Sequence, residues 1–220
     1  KNKQLKIRIE RNNGYNYIYD ISIFDDNSKN EENYKIVERL IKAILWTTGG
    51  YKIYISGDEY IFNKIKGDYT RSGKRAFDVD FMERVYEKPF EVICPKAFPK
   101  SKTVALPIGG HLSGNRIGFD AGGSDRKVSA VVDGKVIYSE EVVWSPKINS
   151  DWHYHYDGIL TAMKTAASKM DSVDAIGVSS AGVYIDNKIM VASLFLKVPK
   201  EDYKKHVQNM YIDIAKEIGA

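Results

Sequence analysis

Residues 116–132 read Arg-Ile-Gly-Phe-Asp-Ala-Gly-Gly-Ser-Asp-Arg-Lys-Val-Ser-Ala-Val-Val, and the other elements of the second half of the chain are arranged around this segment. Apolar residues recur within 117–120 and alternate with polar ones over 127–132, as in half-buried strands. Gly122 and Gly123 separate the two runs and favour a tight turn, because glycine adopts positive φ without steric cost. The stretch therefore predicts a strand, a turn and a returning strand.

The residues that follow extend this hairpin into an α/β layer. Asp133-Gly134 is typical of a two-residue hairpin turn and leads into a third strand over 135–143. Apolar residues at helical spacing predict a helix over 157–170, and a short apolar strand follows at 175–180. We expect this helix to cross back over the sheet, as connections between strands of α/β layers do.

The first turn carries residues that suit a phosphate group. Backbone N–H groups at Gly122 and Gly123 can approach an anion closely because no side chain intervenes. Ser124 adds a hydroxyl donor and Lys127 adds a cation, while Asp120 at the strand end faces the same space. A carboxylate beside phosphate indicates Mg²⁺, held through water, since the metal turns repulsion into a bridge. The pattern favours ATP with Mg, although an ordinary hairpin turn stays open as the alternative.

Residues 120–127, Asp-Ala-Gly-Gly-Ser-Asp-Arg-Lys, resemble the first phosphate motif of the sugar kinase, Hsp70 and actin superfamily. Within it the motif is most similar to that of the ROK family of bacterial sugar kinases and repressors, which usually has Asp-x-Gly-Gly-Thr. Ser124 stands where that family has threonine, and the hydroxyl is kept.

A second segment carries the same resemblance. The strand 175–180 runs into 181–186, Ala-Gly-Val-Tyr-Ile-Asp, where ROK proteins tend to have Pro-Gly-x-x-Asp. Ala181 replaces the proline, Gly182 keeps the glycine, and Asp186 supplies the later acid, one residue farther from the glycine than in the pattern. Gly182 and Asp186 are candidate residues of a substrate loop. Asp186 can equally be a turn residue.

The resemblance implies an α/β, ribonuclease H-like (actin-like ATPase) N-terminal lobe with a mixed sheet, and transfer of the ATP γ-phosphate to a sugar hydroxyl. It also implies that the catalytic base, in an Asn-Asp-Gly-Asp type motif, lies after Ala220, so that the chain is an incomplete N-terminal lobe with no catalysis of its own. Two alternatives stay open. One is a sugar-sensing regulator or binding module without catalysis, and the other is an ATPase or activator of the superfamily that takes no sugar.

Composition narrows the classes of function. The net charge of +4 is spread along the chain without a dense basic block, so charge does not indicate nucleic-acid binding. No apolar run is long enough for a membrane span, and the polar start carries no signal-peptide core. The single cysteine, Cys94, excludes a disulfide framework; we expect it to be buried and the protein to be cytoplasmic. A homodimer stays open as its assembly.

The first half of the chain, 1–110, predicts a small α+β module that precedes the lobe at 111–220. It lacks a winged-helix pattern, which argues against a ROK repressor. The expected hairpin spans 5–10 and 15–24, and the other expected elements are helices over 31–46, 59–65 and 78–86 and strands over 51–55 and 90–94.

Two further segments carry expectations for the second half. His153 and His155 lie two residues apart and could share one side of an extended segment, as metal ligands do. Further ligands are lacking, so we favour an aromatic loop on the domain surface or a loop that faces the sugar. Residues 201–218 have an apolar stripe at helical spacing and predict one continuous amphipathic helix.

Overall fold

The structure, a computed structural model, describes residues 1–105 and 109–220. The chain divides into two compact units, Lys1–Pro107 and Ile108–Ala220. Each unit has a sheet and a hydrophobic core of its own. No helix among the described residues is long and apolar enough to cross a lipid bilayer.

The first unit is the small α+β module. Its strands are β1 (Asn2–Glu10), β2 (Asn16–Phe24), β3 (Lys52–Ser56) and β4 (Glu91–Ile93), and its helices are α1 (Asn30–Thr48), α2 (Glu59–Asp68) and α3 (Ala76–Tyr86). The four strands form a sheet in the order β2-β1-β3-β4, with β4 parallel to β3 and the other pairs antiparallel.

Apolar residues that alternate along the strands form the core of this module together with the helices. Leu5, Ile7 and Ile9 point to one face of β1 and pack with the apolar stripes of the helices, as their period-two spacing predicts. The Asp58 carboxylate caps α2 by accepting a hydrogen bond from the Ile61 N–H at 2.8 Å. The prediction that Cys94 is buried is wrong: the residue follows the short strand β4 and its side chain is exposed.

The second unit contains the predicted meander. The elements are β5 (Asn115–Ala121), β6 (Asp125–Val132), β7 (Lys135–Val143), α4 (Trp152–Ala167), β8 (Ala175–Ser180), β9 (Val183–Ile185), β10 (Lys188–Val191), α5 (Lys200–Asp202) and α6 (Met210–Ile218). The main sheet has the order β7-β6-β5-β8, in which β5, β6 and β7 are antiparallel neighbours and β8 is parallel to β5. Strands β9 and β10 form a hairpin.

This topology confirms the predicted fold class. A three-stranded antiparallel meander, followed by a helix and a fourth strand parallel to the first, is the strand order of a ribonuclease H-like lobe. The sheet is mixed, and the small α+β module precedes it, as expected.

The two faces of the main sheet differ in character. Ile117 and Phe119 of β5 and Val128 of β6 face α4, whose Ile159 and Met163 are buried against them. Strand residues alternate between faces, so the residues between these point the other way. We call that other side, which carries Asp120 and Lys127, the polar face.

The helix predicted at 157–170 begins earlier, at Trp152, because the Asp151 carboxylate accepts a hydrogen bond from the His153 N–H at 3.0 Å and caps the helix there. The predicted aromatic loop is therefore helical. His153 is exposed and His155 is buried, so the two rings do not share a side.

The predicted continuous helix 201–218 is interrupted. A π-helical turn spans Tyr203–Val207, and the Gln208 N–H donates to the Tyr203 carbonyl at 3.0 Å. The Gln208 carbonyl accepts from the Ile189 N–H of β10 at 2.9 Å. This bond to the hairpin holds the backbone at the break, which helical spacing alone does not reveal.

Candidate functional site

Four polar side chains form a row across the polar face, one from each strand. In the strand register Asp120 lies opposite Lys127 on one side and Ser179 on the other, and Lys127 lies opposite Glu141. Directly opposed residues on one face are close enough for their side chains to interact. The sheet thus brings together Asp120 and Lys127, two of the residues selected from sequence.

A groove of about 650 Å³ lies over this row. Glycine and serine in the next row of the sheet leave room for it; at Gly118, for example, a β-carbon would lie 2.8 Å from the Ser129 hydroxyl. The groove is lined by Gly118, Phe119, Asp120, Lys127, Val128, Ser129, Ser139, Glu140, Glu141, Gly177, Val178 and Ser179.

The Lys127 ammonium is engaged by carboxylates. Its Nζ lies 2.5 Å from Asp125 Oδ1 and 3.6 Å from Glu141 Oε1. The Asp125 carboxylate, and behind it Glu141 and Asp120, raise the pKa of Lys127. The hydrogen bond from Lys127, followed by that from the Ser124 hydroxyl at 3.1 Å, lowers the pKa of Asp125. Asp125 therefore holds both side chains that were predicted to meet phosphate.

The first turn, Gly122-Gly123-Ser124, needs glycine for a reason that differs from the expected one. Neither glycine has a positive φ. A β-carbon at Gly122 would lie 2.5 Å from the Asp125 carbonyl oxygen, and one at Gly123 would lie 2.7 Å from Lys147 Nζ. The glycines provide space for close approach, which is the property that a phosphate cradle requires.

Trp144 fixes the first turn from the segment after β7. Its backbone N–H donates to the Ser124 carbonyl at 3.0 Å, and its indole Nε1–H donates to the Gly122 carbonyl at 2.9 Å. The ring is buried in the core of the unit. Two hydrogen bonds from one buried residue therefore hold the first and the last residue of the turn.

Lys147 reaches the turn from the same segment. Its Nζ lies close to Gly123, and it has no hydrogen-bond or ion-pair partner within residues 1–105 and 109–220. Sequence reasoning passed over both Trp144 and Lys147. The available signal was the Trp-Ser-Pro-Lys sequence at 144–147, directly after a predicted strand that ends beside the turn.

The second predicted motif, residues 181–186, begins close to the first turn and extends away from it. Ser180, the last residue of β8, lies opposite Ala121, so Gly182 follows close to the end of β5. Gly182 has a φ of 150°, and a β-carbon there would lie 2.6 Å from the Val191 carbonyl oxygen. Asp186 lies at the far end of the β9–β10 hairpin, where it and Asn187 have φ of 51° and 63°. Its geometry is that of a hairpin turn residue.

The residues present suit Mg²⁺ bound mainly through water and phosphate. Mg²⁺ commonly keeps several waters and takes one or two carboxylates. Asp120 can supply one, because its carboxylate accepts no hydrogen bond from the described residues. Within those residues no three His, Cys, Asp or Glu side chains are grouped to hold a metal by themselves, so the metal would depend on the nucleotide.

No protein-family model matches the sequence, and no curated protein does. Among solved structures, a Listeria monocytogenes protein described as "a putative N-acetylmannosamine kinase" is similar at 24% identity and a TM-score of 0.33, over 48% of this chain and 32% of that chain. An exopolyphosphatase from Cytophaga hutchinsonii is similar at 13% identity and a TM-score of 0.24, over 79% of this chain and 62% of that one.

A Ppx/GppA family member from Aquifex aeolicus is similar at 12% identity and a TM-score of 0.21, over 80% of this chain and 61% of that chain. The chain thus spans about a third of the Listeria protein and less than two thirds of the other two. The ribonuclease H-like assignment rests on the strand order of the second unit.

Proposed function

We propose that the second unit is the nucleotide-binding lobe of an ATP-dependent sugar kinase of the ROK type. In this proposal the first turn, Gly122-Gly123-Ser124, holds the nucleotide phosphates through backbone N–H groups and the serine hydroxyl. Asp120 holds Mg²⁺ through water, and Lys127 is a second phosphate contact once it leaves Asp125. Gly182 and Asp186 belong to a loop that faces the sugar.

The observation that carries the proposal is the position of Asp120. Its carboxylate lies on the polar face of β5, opposite Lys127 and one residue before the strand ends at the first turn. A carboxylate, a lysine and a close-approach turn at one end of a strand are the parts that a magnesium–phosphate site requires. A plain hairpin needs none of them.

The reaction is in-line phosphoryl transfer. An oxygen of the sugar hydroxyl forms a bond to the γ-phosphorus, the bond from that phosphorus to the bridging oxygen of ADP breaks, and the hydroxyl proton passes to a carboxylate base. We assign that base to no residue of this chain. Bound Mg²⁺ would neutralise charge on the phosphates as the bond to ADP breaks. The chain itself contributes binding and orientation of the nucleotide.

The test is MgATP binding to this chain by isothermal titration calorimetry. Replacing Asp120 by Asn should weaken MgATP binding about tenfold or more, because the amide no longer attracts the metal, while binding of ATP in EDTA should not weaken. Asp133→Asn is the matched control, since it changes the same group in the other turn of the meander. It should bind MgATP as the unaltered chain does.

Three results separate the alternatives. Equal MgATP affinity for the unaltered chain and Asp120→Asn removes Asp120 from the site. Sugar binding without any nucleotide binding favours a sugar-sensing module. ATP hydrolysis by the whole protein in the absence of sugar favours an ATPase or activator.

A further inference from the structure

We propose that Lys147 is the cation that meets the nucleotide phosphates at the first turn, and that Trp144 is the residue that positions it. This inference rests on the proposed function and deepens it. It assigns to the segment after β7 a role that the phosphate motif itself does not contain.

The ammonium of Lys147 lies against the glycine pair. A β-carbon built on Gly123 would be 2.7 Å from Lys147 Nζ and 2.8 Å from its Cε. Glycine at this position therefore leaves open the space that the lysine side chain enters. An anion that approaches the backbone N–H groups of the turn would meet this ammonium there.

The backbone around Lys147 is fixed to the turn. Trp144 donates from its backbone N–H to the Ser124 carbonyl and from its indole to the Gly122 carbonyl. Pro146 is buried and begins a 3-10 turn, which closes with the Asn149 N–H donating to the Pro146 carbonyl at 3.3 Å. The long lysine side chain thus extends from an anchored point.

Lys127 is poorly placed for the same task. Its ammonium faces three carboxylates, since it lies 2.5 Å from Asp125 and 3.6 Å from Glu141 and its pKa is also raised by Asp120. An incoming phosphate would be repelled by these acids and would have to break the bond to Asp125. Lys127 therefore serves first to neutralise its neighbours.

Lys147 is available by contrast. Its side chain is exposed, and it has no hydrogen-bond or ion-pair partner in the part of the chain that the structure describes. A phosphate group at the turn requires a second ammonium, because the carboxylates of Asp120, Asp125 and Glu141 outnumber the single lysine of the motif. Phosphate oxygens accept strong charge-assisted hydrogen bonds from such a group.

The experiment compares lysine variants of this chain by calorimetric titration with MgATP. Lys147→Met should weaken binding about tenfold or more, the loss expected for one hydrogen bond to a charged group, and by more than Lys127→Met does. Lys135→Met is the matched control, because Lys135 begins β7 beside the other turn of the meander. It should change affinity less than about twofold.

Gly123→Ala tests the geometry without removing the lysine. The new β-carbon displaces the end of a flexible side chain and no backbone, so the fold should be kept while MgATP affinity falls as in Lys147→Met. Lys147→Arg should recover most of the affinity. Circular dichroism and the unfolding midpoint confirm that each variant is folded.

The outcomes distinguish the two proposals. If the unaltered chain binds MgATP and Lys147→Met binds it equally well, Lys147 is not the phosphate cation and the proposed function stands. If Lys127→Met loses more affinity than Lys147→Met, the roles of the two lysines are reversed and this inference is overturned. If the unaltered chain binds no MgATP, both proposals fall.

Discussion

The meander has two turns that both contain glycine, and they use it differently. The second turn, Asp133-Gly134, has φ of 49° and 79°, the left-handed geometry that a two-residue hairpin demands. A β-carbon at Gly134 would meet Leu112 at 3.5 Å, which is ordinary contact. Its glycine satisfies the backbone of the hairpin and nothing else.

The first turn has neither glycine in the left-handed region, yet both positions are crowded. A β-carbon at Gly122 would meet the Asp125 carbonyl and one at Gly123 would meet Lys147, while the Trp144 indole donates a hydrogen bond to the Gly122 carbonyl. Glycine that is needed for space marks a place where other groups come close, whereas glycine that is needed for φ marks a bend. The comparison therefore separates a candidate site from a structural turn in one sheet.

Replacing each glycine by alanine should show the difference most strongly. Gly122→Ala puts a β-carbon 2.5 Å from a backbone oxygen that cannot move aside, so we expect a loss of about 2–4 kcal/mol in the free energy of unfolding. Gly134→Ala has space and a strained φ only, and should lose about 1 kcal/mol. Urea denaturation followed by circular dichroism measures both values.

The decisive result of that experiment is which of the two variants, Gly122→Ala or Gly134→Ala, loses more unfolding free energy. Equal losses at the two positions, or a larger loss at Gly134, would show that the first turn is also an ordinary backbone bend. A change in the slope of the unfolding curve would need a separate check, because it reports altered compactness of the denatured or native state.

Trp144→Phe should produce the next largest effect. Phenylalanine keeps an aromatic ring but cannot donate to the Gly122 carbonyl, so we expect a loss of about 1–2 kcal/mol in unfolding free energy. Trp152→Phe is the control, since Trp152 contacts His206 by ring stacking, which a phenyl ring retains. A loss at Trp144 no greater than at Trp152 would contradict the role of the indole hydrogen bond in holding the first turn.

Sequence periodicity and turn signals were sufficient to predict the meander of the second unit. Alternation in β5 and β6 and the Asp133-Gly134 turn predicted the meander, because each signal is local and agrees with burial on one face. The predicted start of α4 lies five residues too late, because an acid such as Asp157 also favours a helix start, while the actual cap is Asp151. The break before α6 depends on a bond from Gln208 to β10, which no local pattern contains.

The candidate site was partly predictable for the same reason. Asp120, Gly122, Gly123, Ser124 and Lys127 form one continuous motif, and the strand register does bring Asp120 and Lys127 together. Trp144 and Lys147 come from the end of the third strand, so their contact with the turn depends on the lengths and pairing of three strands. The pairing of Lys127 with Asp125 is not predicted by the motif either, because the motif indicates a ligand for both Ser124 and Lys127 and not a bond between its own residues.

His155 offers the smallest and most specific test of the first turn. Its ring is fully buried and packs edge-on to Trp144 at 6.3 Å between centroids. Burial lowers the pKa of His155 below the usual 6.5. As pH falls below about 6.5 the unfolded chain therefore binds a proton before the folded chain does, and stability that is complete above this pH decreases, by at most about 1.4 kcal/mol per pH unit.

We expect the unfolding free energy to fall between pH 7 and pH 5.5 in the unaltered chain, and His155→Leu to show a smaller decrease even if it is less stable throughout. Amide exchange, corrected for its intrinsic pH dependence, should rise at the lower pH at the Trp144 N–H, which donates to the Ser124 carbonyl, but not at the Asp133 N–H, which donates to the Gly114 carbonyl, because Trp144 contacts the first turn. Equal protection at both turns would mean that His155 stabilises the unit as a whole and that Trp144 holds the first turn independently of it.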